Sequence, residues 1–156
     1  MAPLKYRTIQ NHNGLKTYKG LITELLPHQV FVCGTNKHGR HGAGAAKQAA
    51  KFGAINGFSR GFIGVRCYGI VTKDLFAKQH PSISQEEIKR QIKGLYAAAR
   101  ELPHREFLIA YSATGTNLSG YTNEEMAEMF RQPPIPENIV FEEGFSQLVY
   151  GDENPR

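Results

Sequence analysis

Lys73 closes the apolar segment YGIVTKD (residues 68–74) and is followed at once by Asp74. An ammonium group beside a carboxylate can bind an anion, stabilise developing charge or move a proton. Earlier in the chain, Asn36, His38, Arg40 and His41 crowd into GTNKHGRHGAG (residues 34–44), which also holds four glycines. That stretch approaches two phosphate-binding patterns. Gly34 and Gly39 have the spacing of a P-loop, but Arg40 and His41 stand where Lys and then Ser or Thr belong; GAGAAK from Gly42 opens like a dinucleotide fingerprint, but Lys47 replaces its last glycine. A second polar loop, SATGTNLSGY (residues 112–121), contains Thr114, Gly115, Thr116 and Asn117, then Leu118, Ser119, Gly120 and Tyr121.

Both loops sit in the same setting, a buried strand before and a helix start after. VFVCG (residues 30–34) is a continuous apolar run, the pattern of a parallel strand covered on both faces. AGAAKQAAKF (43–52) is rich in alanine and predicts a helix that packs close to a sheet. VRCYGIVT (65–72) predicts the next buried strand, with Thr72, Lys73 and Asp74 at its carboxyl end, where open α/β sheets bind ligands. A helix follows over 84–102: Ser84 and Glu87 have capping-box spacing, Ile88, Ile92, Leu95, Tyr96 and Ala99 recur at helical intervals, and Pro103 ends it. Residues 106–111 predict a strand leading into the second loop. Thr122 and Glu125 then cap a helix that the PPIP segment (133–136) breaks, and NIVFEE (138–143) predicts a last strand. LKYRTIQ (4–10) predicts an opening strand, and GAINGFSRGFIG (53–64), which has neither periodicity, a long mobile loop that could act as a flap. The expected fold is one α/β domain over residues 1–150 with a mixed, mostly parallel central sheet and a disordered tail over 151–156.

Each loop can hold an anion, because a helix start offers unpaired N–H groups and the positive end of the macrodipole, while glycines admit a ligand to the backbone. Two such loops on one sheet edge suit a diphosphate. The net charge of +5 among 156 residues favours anionic partners. Basic residues are spread along the chain rather than interleaved with aromatics, which favours small anions over nucleic acid. No apolar run approaches the roughly 20 residues that cross a bilayer, and MAPLKYRTIQNHNG lacks a signal-peptide core, so a cytoplasmic protein is expected. Cys33 and Cys67 lack metal or disulfide spacing and are expected to be buried thiols. His38 and His41, which frame Arg40, could meet a phosphate but read first as solvated loop residues without partners for a metal site; Phe58, Phe62 and Tyr121 could stack on a base or a ribose but read first as packing groups. No cofactor is called for.

On these residues the chain resembles the macrodomain family, from about residue 20 to 141. GLITELLPHQVFVCGTN resembles the family's opening, in which a Gly-Asp-Ile-Thr turn leads into an apolar strand ending in Ala-Asn; Thr35 and Asn36 take that ending. HGAGAA, with Gly42, Ala43 and Gly44, is similar to the first ligand loop, and SATGTNLSGYTNEE to the second. The likeness is strongest to short, divergent bacterial and phage macrodomain-like proteins with an HGAGAA loop and a strand ending like YGIVTKD. It implies a three-layer α/β/α domain binding ADP-ribose or a related nucleotide diphosphate derivative, free or on an ADP-ribosylated substrate. The contacts it implies run from Gly34 to Asn36 and over residues 42–44, 72–74 and 114–121. The strand end also resembles the ADP-ribosyl hydrolases that use a lysine, which would make Lys73 catalytic with Asn36 on the distal ribose. A salt bridge or phosphate contact for Lys73, and a turn-shaping role for Asn36, are the alternatives. Leu21 replaces the aspartate that accepts the adenine amine, and Ser119 lies where the hydrolases carry a catalytic aspartate. Asp74 is the nearby carboxylate, though adjacent strand residues point to opposite faces. A third reading is a basic protein that binds nucleic acid along the same rim.

Overall fold

The computed structural model describes residues 8–10 and 15–151. Of the expected opening strand, β1 (Thr8–Gln10) is seen; residues 4–7 of it and residues 152–156 of the expected tail lie outside the described residues.

Side-chain alternation along VFVC explains the layering. In β3 (Gln29–Asn36), Val30 and Val32 enter one core and Phe31 and Cys33 the other, and all four are fully buried. A strand covered on both faces has to run inside a sheet with helices above and below. Among the described residues the sheet has seven strands in the order β1, β2 (Lys16–Tyr18), β7 (Ile139–Glu142), β6 (Glu106–Ile109), β3, β5 (Cys67–Lys73) and β4 (Gly61–Gly64). From β2 to β5 all neighbours are parallel, while β1 and β4 pair antiparallel at the two edges. This is the mixed, mostly parallel sheet the sequence predicts.

One face carries α1 (Gly44–Lys51), whose Ala49 packs with Phe31, Cys33, Cys67 and Leu108. On the other lie α2 (Gln85–Glu101), α3 (Asn123–Phe130) and α4 (Glu143–Tyr150), which cover Val30, Val32, Ile70, Phe107 and Ile109. Chain order explains where a cleft opens. From β3 the chain passes through α1 to β4 and β5 on one side, then returns through α2 to β6 on the other. The carboxyl ends of β3 and β6 thus send their loops apart, leaving a crevice at the switch point. At the opposite edge, Glu106 anchors the strand starts: its carboxylate accepts from Gln29 Nε2 at 2.9 Å and from Lys16 Nζ at 2.6 Å.

Several elements differ from the sequence reading. The stretch 53–64 is not a flap: its last four residues form β4, held against β5, and glycines at both ends hide the strand pattern. β5 begins at Cys67, because Val65 and Arg66 form the turn that joins the two strands. β2 and α4 are additional; α4 follows β7 without a loop because the Glu142 side chain itself accepts from Phe145 N and starts the helix. Ser84 caps α2 by accepting from Glu87 N, but Glu87 leaves the expected reciprocal box to pair with Arg60 at 2.8 Å and with Arg90.

Candidate functional site

The cleft at the carboxyl edge has two adjoining compartments, of about 240 and 280 Å³. The first is walled by Gly34, Thr35 and Asn36 from β3, by residues 42–46 leading into α1, and by Thr72 and Lys73 from β5, with Arg40 and Leu75 at its rim. The second lies between Tyr18, residues 20–22, Gln48, Ser112, Gly115, Asn123 and Glu142. Gly44, Ala45, Ala110, Tyr111, Thr116 and Asn117 line both. Together the compartments fall in the ~300–1,000 Å³ range of small-molecule sites.

At the shared wall stands the N-terminus of α1. Its N-cap is Ala43, which offers no side-chain hydrogen bond, and its first turn has no acidic residue. The first N–H groups of a helix have no intrahelical partner, so this end presents donors and a partial positive charge to the cleft. The expectation that the second loop works the same way is corrected. Thr122 and Glu125 complete a capping box on α3, and Glu124 and Glu125 place negative charge on its first turn. The box takes up two of the donors at that helix end, and the two acidic side chains of the first turn disfavour an anion there.

Glycine is required at two points of the first loop for opposite reasons. Gly44 has φ +59° and its missing Cβ would lie 3.0 Å from Leu118 Cδ1, so the two loops touch there. A Cβ on Gly34 would lie 2.5 Å from Tyr111 Oη, the buried hydroxyl that floors the cleft.

Asn36 shapes its own turn. Its Oδ1 accepts from the N–H groups of His38 and Arg40, each at 3.1 Å, and its Nδ2 donates to the Arg40 carbonyl at 2.6 Å, leaving one amide hydrogen for a ligand. The register between β3 and β5 shifts at this residue, pairing Thr35 with Val71 but Asn36 with Lys73. That irregularity brings Thr72 and Lys73 together onto the cleft wall. Asp74 leaves the wall. Lys37 Nζ lies 3.2 Å from one of its oxygens and His38 Nε2 3.0 Å from the other. The His38 hydrogen bond first, then the Phe76 N–H and the Lys37 ammonium, hold its carboxyl down at about 2. Among the described residues no carboxylate lies within 4.0 Å of Lys73 Nζ.

The first loop is held from behind by 53–59. The Gly39 carbonyl accepts from Gly57 N at 2.9 Å, and Thr35 Oγ1 donates to the Ser59 carbonyl at 2.5 Å. His41 is buried, 6% exposed, rather than solvated: its N–H donates to Asn56 Oδ1 and its Nε2 bonds the Ile55 carbonyl at 3.0 Å. Nε2 therefore carries a hydrogen, and Nδ1 is buried without a partner among the described residues.

In the second loop, Gly115, Thr116, Asn117 and Leu118 reach the cleft, whereas Thr114, Ser119, Gly120 and Tyr121 are not on its walls. Ser119 is 1% exposed; its hydroxyl donates to Asn117 Oδ1 and accepts from Tyr121 N. Tyr121 donates to the Ile83 carbonyl at 2.6 Å, a packing role. The sequence reading missed Ala110 and Tyr111, although their place just after β6 could have flagged them. It also missed Tyr18, Gln48, Asn123 and Glu142, for which no local motif exists. Among the described residues no group of three or more His, Cys, Asp or Glu side chains is placed to hold a metal ion, and no helix is long and apolar enough to cross a membrane.

No protein-family model matches the chain, and no curated protein does. Among solved structures it is similar to the macrodomain of Thermus aquaticus DarG, with a TM-score of 0.47 and 20% identity over 80% of this chain and 95% of that chain. At that distance the site has to be read from its own geometry.

Proposed function

We propose that this protein binds a nucleotide diphosphate derivative of the ADP-ribose type, with the diphosphate at the N-terminus of α1 and its two ends in the two compartments. The observation that carries this is the uncapped start of α1 at the wall the compartments share. A bipartite ligand with charge at its middle matches a bipartite cleft with donors at its middle. Thr116, Asn117 and Leu118 close over the diphosphate from the opposite side. Lys73 and the remaining amide hydrogen of Asn36 face the distal sugar, and Arg40 stands over its outer end, stacked 5.7 Å from the Phe76 ring. The sequence resemblance to macrodomains supports the same class of ligand.

Binding without cleavage is the reading the wall supports best. Hydrolysis needs a base within reach of the attacking water. Neither Ser119 nor Asp74 is on the cleft wall, and the Asp74 carboxylate is engaged by Lys37 and His38. Lys73 acting alone, through its amine on an opened sugar, is the enzymatic alternative, since no carboxylate among the described residues lies within 4.0 Å to hold its ammonium group. Titration calorimetry with ADP-ribose, followed by analysis of the mixture for products, separates the two. Binding with intact ligand is expected. No heat with ADP-ribose, and none with related nucleotide diphosphates, would overturn the proposal, and product formation lost in Lys73→Ala would establish the hydrolase instead.

A further inference from the structure

The second compartment does not end at the nucleoside. A groove of about 310 Å³ continues from it along the flank of α1, sharing Leu21, Gly44 and Gln48 with it and adding Lys47, Lys51 and Phe52. Gln48 ties the two together, because its side-chain amide donates to the Ile22 carbonyl and holds residues 20–22 against the helix. Lys47 and Lys51 are four residues apart and so stand one above the other on one helix face. Among the described residues neither has a carboxylate within 4.0 Å. Like charges stacked in this way repel each other mildly and lower helix stability unless an anion lies between them.

The neighbouring chemistry points the same way. Leu21, 73% exposed, forms the lip between compartment and groove and offers no acceptor to a base amine. Beyond that lip the charged groups lining the groove are the ammonium groups of Lys47 and Lys51. From Gly44 to Lys51 the helix rises about 10 Å, so one face of α1 presents its N-terminus to one anion and two ammonium groups to another, roughly a sugar's span further on.

We infer that the ligand carries an additional phosphate monoester on the ribose of its nucleoside, seated between Lys47 and Lys51. This rests on the proposed binding of a nucleotide diphosphate in the cleft. Two adjacent cations match the near-dianion that a monoester is at neutral pH, rather than the single charge of a diester.

The test measures the affinities of ADP-ribose and ADP-ribose 2′-phosphate, and of the corresponding 3′-phosphate, for the parent and for the Lys47→Gln, Lys51→Gln double variant. Both changes are at exposed helical positions where Gln is a good helix former, and the melting temperature of the variant checks its fold. One phosphorylated ligand is expected to bind about tenfold more tightly than ADP-ribose, the size two partly exposed charge pairs supply. That ratio should fall to near one in the double variant, and in the parent it should shrink as the pH drops through about 6, where the monoester takes up a proton. Equal affinities in the parent, or a gain that survives the double variant, overturn this inference and leave the cleft proposal standing. If none of the three ligands binds, both fall together.

Discussion

Gly42 has nothing within 4 Å of the position a Cβ would take, and its backbone lies outside the left-handed region. Nothing in the protein itself requires glycine there, whereas the approach of Tyr111 requires it at Gly34 and a φ of +59° at Gly44. The space over Gly42 belongs to the cleft. Gly42→Val should therefore leave stability within about 0.5 kcal/mol of the parent, while overpacking the ligand by about 1–3 kcal/mol and weakening ADP-ribose binding roughly tenfold or more. Thermal melts and calorimetry on the same sample check both halves. Asp74 supports a different measurement. Because its carboxyl is held at about 2 in the folded protein, against about 4 when unfolded, its tie to His38 and Lys37 is fully present above about pH 4. The contribution is lost as the pH falls through about 2. The stability difference between the parent and Asp74→Asn should accordingly shrink as the pH falls below about 4 and vanish towards pH 2 in acid titrations.

The elements around the cleft differ in what satisfies their ends. α3 is closed by its own capping box, whereas α1 begins with Ala43, whose extended backbone (φ −150°, ψ 158°) is already that of an N-cap. Replacing it by Asp supplies the missing acceptor and should stabilise the ligand-free protein by about 1 kcal/mol. The same carboxylate occupies the donors meant for the ligand, so affinity should fall about tenfold or more even as the melting temperature rises. A gain in stability with unchanged affinity would show that the diphosphate does not use this helix end. The segment behind the first loop has an equally specific role. Asn56→Ala removes the acceptor for the His41 N–H and should cost about 1–2 kcal/mol. Because Asn56 is not on the cleft wall, any loss of ligand affinity reports the loop's position rather than a lost contact. Protease cleavage within residues 37–42 should accelerate in this variant.

For the molecule as a whole, burial governs reactivity. Both thiols lie in the core between the sheet and α1, and burial pushes Cys33 up to about 12 and Cys67 up to about 11, the latter against the lowering effect of Arg66. Neither thiol is ionised near neutrality, so a thiol-specific reagent should modify the native protein only at the rate of unfolding and label two sites promptly in denaturant. The same division between local and global causes separates what could be read along the chain from what could not. VFVC, the 84–102 periodicity and the Thr122–Glu125 box were legible because side-chain alternation, helical recurrence and capping act over a handful of residues. β4 was not legible, since only pairing with β5 makes Gly61–Gly64 a strand, and α4 was hidden because a strand residue, Glu142, serves as its cap. His41 looks like a solvated loop residue until residues 55 and 56 fold back to bury it.

The candidate site divides along the same line. The residue types in both loops, the small residues at the start of α1 and the lysine at the end of β5 are written in order along the chain, and with them the class of ligand such groups can hold. Which of them converge was decided by the strand order, which sets β3 between β6 and β5 and opens the crevice where their loops diverge. Only that arrangement buried Ser119 off the cleft wall, set the start of α1 against that wall and ran a groove from the cleft past Lys47 and Lys51. A cleft is made by contacts between residues dozens of positions apart, and no local rule of sequence carries that information.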